Sequence, residues 1–190
     1  GLGLRVFVDG RLGFAYSSDF EPAALDALAD RAVTLAKVSA KNRHNGLPLA
    51  ADLKGHAKVK DLFDPAVAAL PPDWKLRAAL EVEKAGLAVD PRVKTFRSVG
   101  AGESISEVHL ATSEGYSAAF EGSYVFLFAV PVASADGQLQ TSYWVDYKRF
   151  LSDLESPEEI GREAARRAVR MLGARKVKSQ KVPVIFDPLM

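Results

Sequence analysis

Residues 154–183 read LESPEEIGREAARRAVRMLGARKVKSQKVP, and the helix signals in this stretch agree with one another. Ser156 suits an N-cap, Pro157 the first helical position, and Glu159 completes a Ser-x-x-Glu capping box by reaching back to the Ser156 amide. Ile160, Ala164, Ala168, Met171 and Leu172 recur at helical spacing, with Arg162, Arg166, Arg167 and Arg170 on the complementary side. Gly173 stands where a left-handed C-cap residue belongs, and Arg175 and Lys176 bring positive charge to the negative end of the helix dipole. The spacing predicts an amphipathic helix from Ser156 that covers one face of a sheet. The run from Val182 to Phe186 reads as the first strand of a missing C-terminal domain. With an opening Gly1-Leu2-Gly3 in place of an initiator Met, the chain is expected to be cut from a longer protein.

The sheet to be covered lies just upstream. Segments 93–99, 105–112, 116–120, 123–133 and 139–147 are rich in β-branched and aromatic residues. They are separated by Gly100-Ala101-Gly102, Glu114-Gly115, Glu121-Gly122 and Asp136-Gly137, which predicts an antiparallel β-meander. In the last segment Leu139, Thr141, Tyr143, Val145 and Tyr147 alternate onto one face, the one the helix from Ser156 is expected to cover. Asp73 is expected to cap a shorter helix ending near Gly86, with Leu76, Ala79, Leu80 and Val82 as its apolar contacts.

At the N-terminus, residues 4–8 and 12–16 flank Asp9-Gly10, a pair suited to the positive φ angles of a tight hairpin turn. Ser18 or Asp19 then caps a helix whose Leu25, Leu28, Ala29, Ala32, Leu35 and Ala36 form one stripe, ending near Val38. Between Ser39 and Asp73 periodicity fades among Asn, Gly and Pro residues, the mark of a functional crossing or a linker. The reading is an α+β chain in two layers. Residues 1–38 form a hairpin-and-helix unit, 39–73 an irregular crossing or linker, 74–181 a central helix, β-meander and helix unit, and 182–190 the start of a further domain.

Composition narrows the function classes. The chain has 190 residues, 48% hydrophobic and 26% charged, with a formal charge of +1, all ordinary globular values that offer no general pull on nucleic acid or acidic membranes. No cysteine is present, so disulfide frameworks and thiolate metal sites are excluded. The apolar run around Val125 to Ala133 is too short to span a bilayer and contains Pro131.

Candidate chemistry is sparse. The three histidines are His44, His56 and His109, and none has a following Glu or a second His at helical metal-binding spacing. His44, Asp52 and His56 are a conceivable zinc set, but the solvated-loop reading is preferred and no metal ligand is assigned. Glu155, Glu158 and Glu159 cluster as paired acids would, yet a helix N-terminus attracts carboxylates without any catalytic role. No Gly-x-Ser-x-Gly elbow or complete dinucleotide fingerprint occurs, so no catalytic or cofactor-binding residue is assigned. Arg162, Arg166, Arg167, Arg170, Arg175, Lys176, Lys178 and Lys181, against Glu163, are the best local argument for a polyanion partner. A solvated helix face is the simpler account of these charges. Tyr143, Trp144 and Tyr147 read as sheet packing, and the edge of a long meander as a place where an extended peptide can add by main-chain hydrogen bonding.

The stretches Gly1 to Val6, Gly13 to Asp19, Leu25 and Ala32 to Ala36 resemble the N-terminal region of the TldD/PmbA family, also called modulators of DNA gyrase. Ser156 to Ala168, and Leu172 to Lys176 leading on to Pro183 to Phe186, resemble the end of that family's central region and the start of its C-terminal one, with wording that leans to the PmbA type. The resemblance implies a cytoplasmic subunit of a two-chain zinc peptidase acting on unfolded peptides. In that pair the TldD type carries a His-Glu-x-x-x-His motif and the PmbA type, its partner, does not. The motif is missing here, so no family catalytic residue is carried over, and zinc is expected only elsewhere in the parent or its partner. The chain is thus expected to be a catalytically silent scaffold, with a dimerisation and peptide-docking role beside a homologous subunit. The alternatives are a non-enzymatic regulator that contacts DNA gyrase or DNA through the basic helix, and a plain oligomerisation domain.

Overall fold

The computed structural model describes residues 1–49, 51–53 and 59–186, and it divides into two compact units. The fold is α+β, with antiparallel sheets and helices.

The first unit takes in residues 1–58 and 109–119. Its hairpin pairs β1 (Leu2–Val8) with β2 (Arg11–Ser17) in the register Val8↔Arg11 to Leu2↔Ser17. Asp9 (φ 49°) and Gly10 (φ 74°) make the primed turn whose twist matches that of the strands. Helix α1 (Pro22–Val38) lays Leu28, Ala32 and Ala36 on this hairpin against Ala15, Leu4 and Val6. Neither Ser18 nor Asp19 caps it. Glu21 occupies that position without a side-chain bond, while the Asp19 carboxylate accepts from the Glu21 amide in the preceding turn. Pro22, with φ preset for a first turn, starts the helix instead. The chain leaving α1 returns to the hairpin turn: Arg11 Nη1 donates to Ser39 O, the Asn42 N–H to Gly10 O at 2.9 Å, and Asn45 Nδ2 to the same oxygen at 3.1 Å.

The second unit takes in residues 59–108 and from 120 onward. Its connection holds a single-turn helix, α2 (Pro65–Ala68), inside the stretch expected to be irregular. Asp64 organises it. Its Oδ1 accepts from the Ala66 N–H (2.9 Å) and its Oδ2 from the Leu151 N–H (2.8 Å), while its own N–H donates to Ser123 Oγ (2.8 Å). The fully buried Ser123 hydroxyl donates in turn to Arg149 O (2.9 Å), so none of these polar groups is left unpaired. Helix α3 (Pro72–Leu87) starts at a proline, with Pro71 rather than Asp73 at its N-cap.

The meander has fewer and longer strands than its glycines suggest. β3 (Val93–Ala111) and β4 (Ser117–Ala135) run 19 residues each, straight through Gly100-Ala101-Gly102 and Glu121-Gly122. Gly100 and Gly102 are strand residues that make room for rings. A Cβ on them would stand 2.3 Å from the Phe128 ring and 2.5 Å from the Phe126 ring. The turns at Gly115 (φ 81°) and at Asp136-Gly137 (φ 51° and 75°) are where the sequence places them. β5 (Gln138–Thr141) and β6 (Trp144–Lys148) share one side of β4, with β3 on the other.

Helix α4 (Pro157–Arg170) begins as its sequence predicts, with Ser156 Oγ accepting from the Glu159 N–H at 3.2 Å. The Glu159 carboxylate does not close the capping box, and it takes the Arg162 guanidinium instead. The buried stripe is Ile160, Gly161, Ala164, Ala165 and Ala168. Met171 falls outside it, because the helix ends one residue earlier. Against α3 and the sheet this stripe builds the core of Val82, Ala78, Leu127, Ala129, Ile160 and Ala164, flanked by Trp74 and Trp144. Residues 182–186 carry no regular structure and lie exposed, since a strand needs a neighbour to take its main-chain bonds.

Candidate docking surfaces

Among the described residues the titratable candidates do not converge. His44 is exposed, accepts from Arg43 Nε at Nε2 (3.0 Å), and donates its main-chain N–H to Asn42 Oδ1. Asp52 is exposed, His109 lies in β3, and His56 lies outside the described residues. Among the described residues no three His, Cys, Asp or Glu side chains gather as a metal would require, and the set of His44, Asp52 and His56 lies partly outside those residues. Glu155 accepts from Trp144 Nε1 (3.0 Å), and Glu158 and Glu159 sit in the first turn of α4.

The basic face of α4 is largely matched by its own acids. Arg162 pairs with Glu159 at 3.1 Å, and Glu163 holds both Arg166 (3.6 Å) and Arg167 (2.8 Å). Arg167 also lies 4.0 Å from the centroid of the Trp144 ring, so its aliphatic stem and charge serve packing.

Residues 139–147 reverse the expected phase. Asp146 is 7% exposed on the helix side, whereas Tyr147 is 54% exposed on the other. Leu139, Thr141, Tyr143 and Val145 point outward with Tyr147, and Trp144 packs inward with Asp146. The register explains it. Tyr147 sits opposite Phe126 and Val145 opposite Phe128, while the odd-numbered partners Val125, Leu127 and Ala129 take the helices. Small residues there let α3 and α4 come close, and the large rings go to the other side.

Among the described residues Asp146 is the one nearly buried acid of the second unit. Burial pushes its carboxyl up, but hydrogen bonds from Lys148 Nζ (2.8 Å) and from the main-chain N–H groups of Glu155 (2.9 Å) and Tyr147 (3.0 Å) outweigh this and hold it below the usual carboxylate value. A folded-state pKa below the unfolded one stabilises the fold above about pH 4, and that contribution is lost as pH falls through the folded value. Asp146→Asn is expected to lower the urea midpoint at pH 7 and to flatten its decline at acid pH. Tryptophan fluorescence checks this for the second unit, which contains both Trp74 and Trp144.

The outward face of the four-stranded sheet is aromatic. Tyr124 and Tyr147 have centroids 4.8 Å apart, Phe126 and Tyr147 5.9 Å, and Phe126 and Phe128 6.3 Å. The Arg149 guanidinium lies 4.6 Å from the Tyr124 centroid, at the end of this stripe. β4 is apolar in both phases from Tyr124 to Val132, the pattern of a strand meant to be buried on both faces. That two-sided pattern was the sequence signal for this face, and alternation in the neighbouring segment masked it. Among the described residues no helix or strand covers it.

The chain belongs to the PmbA/TldD metallopeptidase family. Residues 65–172 match the PmbA/TldA metallopeptidase central domain and residues 1–36 the PmbA/TldA metallopeptidase domain 1. It is 28% identical to the metalloprotease PmbA of Escherichia coli O157:H7 over 97% of this chain and 41% of that protein. It is 24% identical to a metalloprotease PmbA homolog of Buchnera aphidicola over 98% of this chain and 42% of that one. The chain therefore spans about two fifths of the length of these relatives. Two solved structures share the fold. One, from Bacteroides thetaiotaomicron and described as a modulator of DNA gyrase, has a TM-score of 0.79 at 24% identity and covers 93% of this chain and 40% of its own. The other, TldE of Thermococcus kodakarensis, has a TM-score of 0.67 at 20% identity and covers 87% of this chain and 36% of its own. No helix among the described residues is long and apolar enough to cross a membrane.

Proposed function

We propose that this chain is the non-catalytic framework of a cytoplasmic PmbA/TldD-type zinc peptidase subunit, and that the aromatic face of its four-stranded sheet docks a homologous subunit. One observation carries the reading: β4 is apolar on both faces, and helices cover only one of them. The exposed ring of Tyr147 and the half-buried rings of Tyr124, Phe126 and Phe128 favour association, at about 25 cal/mol per Å² of apolar surface removed. The zinc that activates water for hydrolysis of unfolded peptides belongs to the remainder of the parent or to its partner. The names of the curated relatives, metalloprotease PmbA and its homologs, support the peptidase setting. The peptide-docking role finds support in the outer edge of β3, which no described strand pairs. There Leu76 and Leu80 of α3 are exposed along a cavity of about 310 Å³.

The test is the double variant Phe126→Lys with Tyr147→Lys in the full-length polypeptide, expressed with its homologous subunit. Light scattering should show separate monomers and peptide hydrolysis should fall, while tryptophan fluorescence keeps its unfolding transition. A dimer of undiminished stability would defeat the docking role.

The description of the related Bacteroides thetaiotaomicron structure as a modulator of DNA gyrase favours a second reading, a regulator that holds DNA or gyrase through α4. Glu159 and Glu163 already engage three of the arginines concerned, which weighs against it. Salt-dependent binding of a DNA duplex that is lost on neutralising Arg166, Arg167, Arg170 and Lys176 would support it.

A further inference from the structure

We infer that the first unit has its own binding site: a slot along the free edge of β1 that takes one extended, uncharged polypeptide segment as an added strand. The inference stands on the first unit alone and does not depend on the docking role of the second. The hairpin register sets the donors and acceptors. Val8 and Arg11 flank a two-residue turn and so exchange main-chain bonds, and alternation from that pair aims the N–H and C=O groups of Gly3, Arg5 and Phe7 outward. Among the described residues no strand or main-chain group meets this edge. Two outward residues, Arg5 and Phe7, are spaced by about 6.8 Å, the repeat at which a neighbouring strand offers its own groups.

A partly enclosed cavity of about 590 Å³ lies along this edge. Leu4 to Phe7 form one side, and Leu47, Pro48, Leu49 and the segment from Ala111 to Glu114 form the rest. The volume falls within the range of roughly 300–1,000 Å³ typical of ligand sites. Pro48 has no N–H to donate, so residues 47–49 act as an apolar wall and not as a third strand. The Arg5 guanidinium leans toward the Phe14 ring, 5.9 Å from its centroid, on the face where Phe14 and Tyr16 are exposed. What remains is main-chain polarity between an apolar wall, Leu47 to Leu49, and a polar one, Thr112 to Glu114, which suits an extended chain with small side chains, apolar on the side of residues 47–49. A second copy of this chain fits poorly, because it would bring the same walls to the same edge.

Amide hydrogen exchange on the full chain tests the slot, with acetyl-Thr-Val-Thr-Val-Thr-Val-amide as the probe and the same peptide N-methylated at every residue as the control. At saturating probe the Arg5 and Phe7 amides should slow by about ten-fold or more, while those of Leu4 and Val6, already paired to β2, change little. The N-methylated peptide, which keeps its side chains and loses donors, should give no protection. Leu47→Asp with Leu49→Asp, in an exposed wall that the hairpin does not need for folding, should weaken probe binding by about ten-fold. Equal protection by both peptides, protection that ignores the wall substitutions, no protection at Arg5 and Phe7, or a chain dimer through this edge that the probe fails to disperse would each overturn the proposal.

Discussion

Gly161→Ala should lower the stability of the second unit by about 3 kcal/mol, at the upper end of what overpacking usually costs. A Cβ at this position would stand 2.1 Å from Val82 O and 3.0 Å from both Gly86 N and Val82 C, all main-chain atoms of α3. No side chain can swing aside, so the two helices must separate and loosen the contacts of Val82, Ile160 and Ala164 in the core. Alanine's better helix propensity returns only about 1 kcal/mol, too little to offset this. Urea unfolding followed by tryptophan fluorescence reads the effect. Gly122→Ala in the same unit, whose Cβ would come no closer than 3.4 Å to any atom beyond its chain neighbours, serves as a control that should leave the midpoint in place. An unchanged midpoint for Gly161→Ala would mean that the helices do not cross as closely as described.

Gly13→Ala should do comparable damage in the first unit, again by about 3 kcal/mol. There the new Cβ would lie 1.9 Å from Ala32 O and 2.5 Å from Ala36 N, on the buried side of α1. A single hydrophobic core this small supplies only about 3–5 kcal/mol, so the helix is expected to leave the hairpin altogether. Amide exchange should show Leu28, Ala32 and Ala36 losing protection together, while the tryptophan transition of the second unit keeps its midpoint. Retained protection along α1 would contradict the close packing of helix on strand.

These glycines mark where sequence reading succeeds and where it stops. At Asp9-Gly10 and Asp136-Gly137 a short-range rule suffices, because the turn needs positive φ and the neighbours say so. At Gly100 and Gly102 the same residue type sits in a strand, for a reason located on β4, where the Phe126 and Phe128 rings need the space. Spacing along one segment carries no trace of a ring arriving from another. The start of α4 was legible because Ser156 and Pro157 act within one turn, whereas α1 and α3 begin at prolines whose neighbours Ser18, Asp19 and Asp73 only resemble caps. The orientation of 139–147 was misread because alternation fixes which residues share a face and leaves open which face is covered. Asp146 turns inward because Lys148, Glu155 and Tyr147 satisfy it there, a set that only the folded chain assembles. The β1 slot was wholly illegible, since its three walls come from residues 4–7, 47–49 and 111–114.

Residues 109–119, at the tip of the β3 and β4 pair, belong with the N-terminal unit, so the backbone passes between the units near residue 58, after Val108 and after Ala119. One nick by a protease at the first passage would leave residues 1–58 held to residues 109–119 by non-covalent contacts alone. The N-terminal body cannot be cut out of a gene as one contiguous cassette, so exchange between relatives by recombination would have to carry both bodies together.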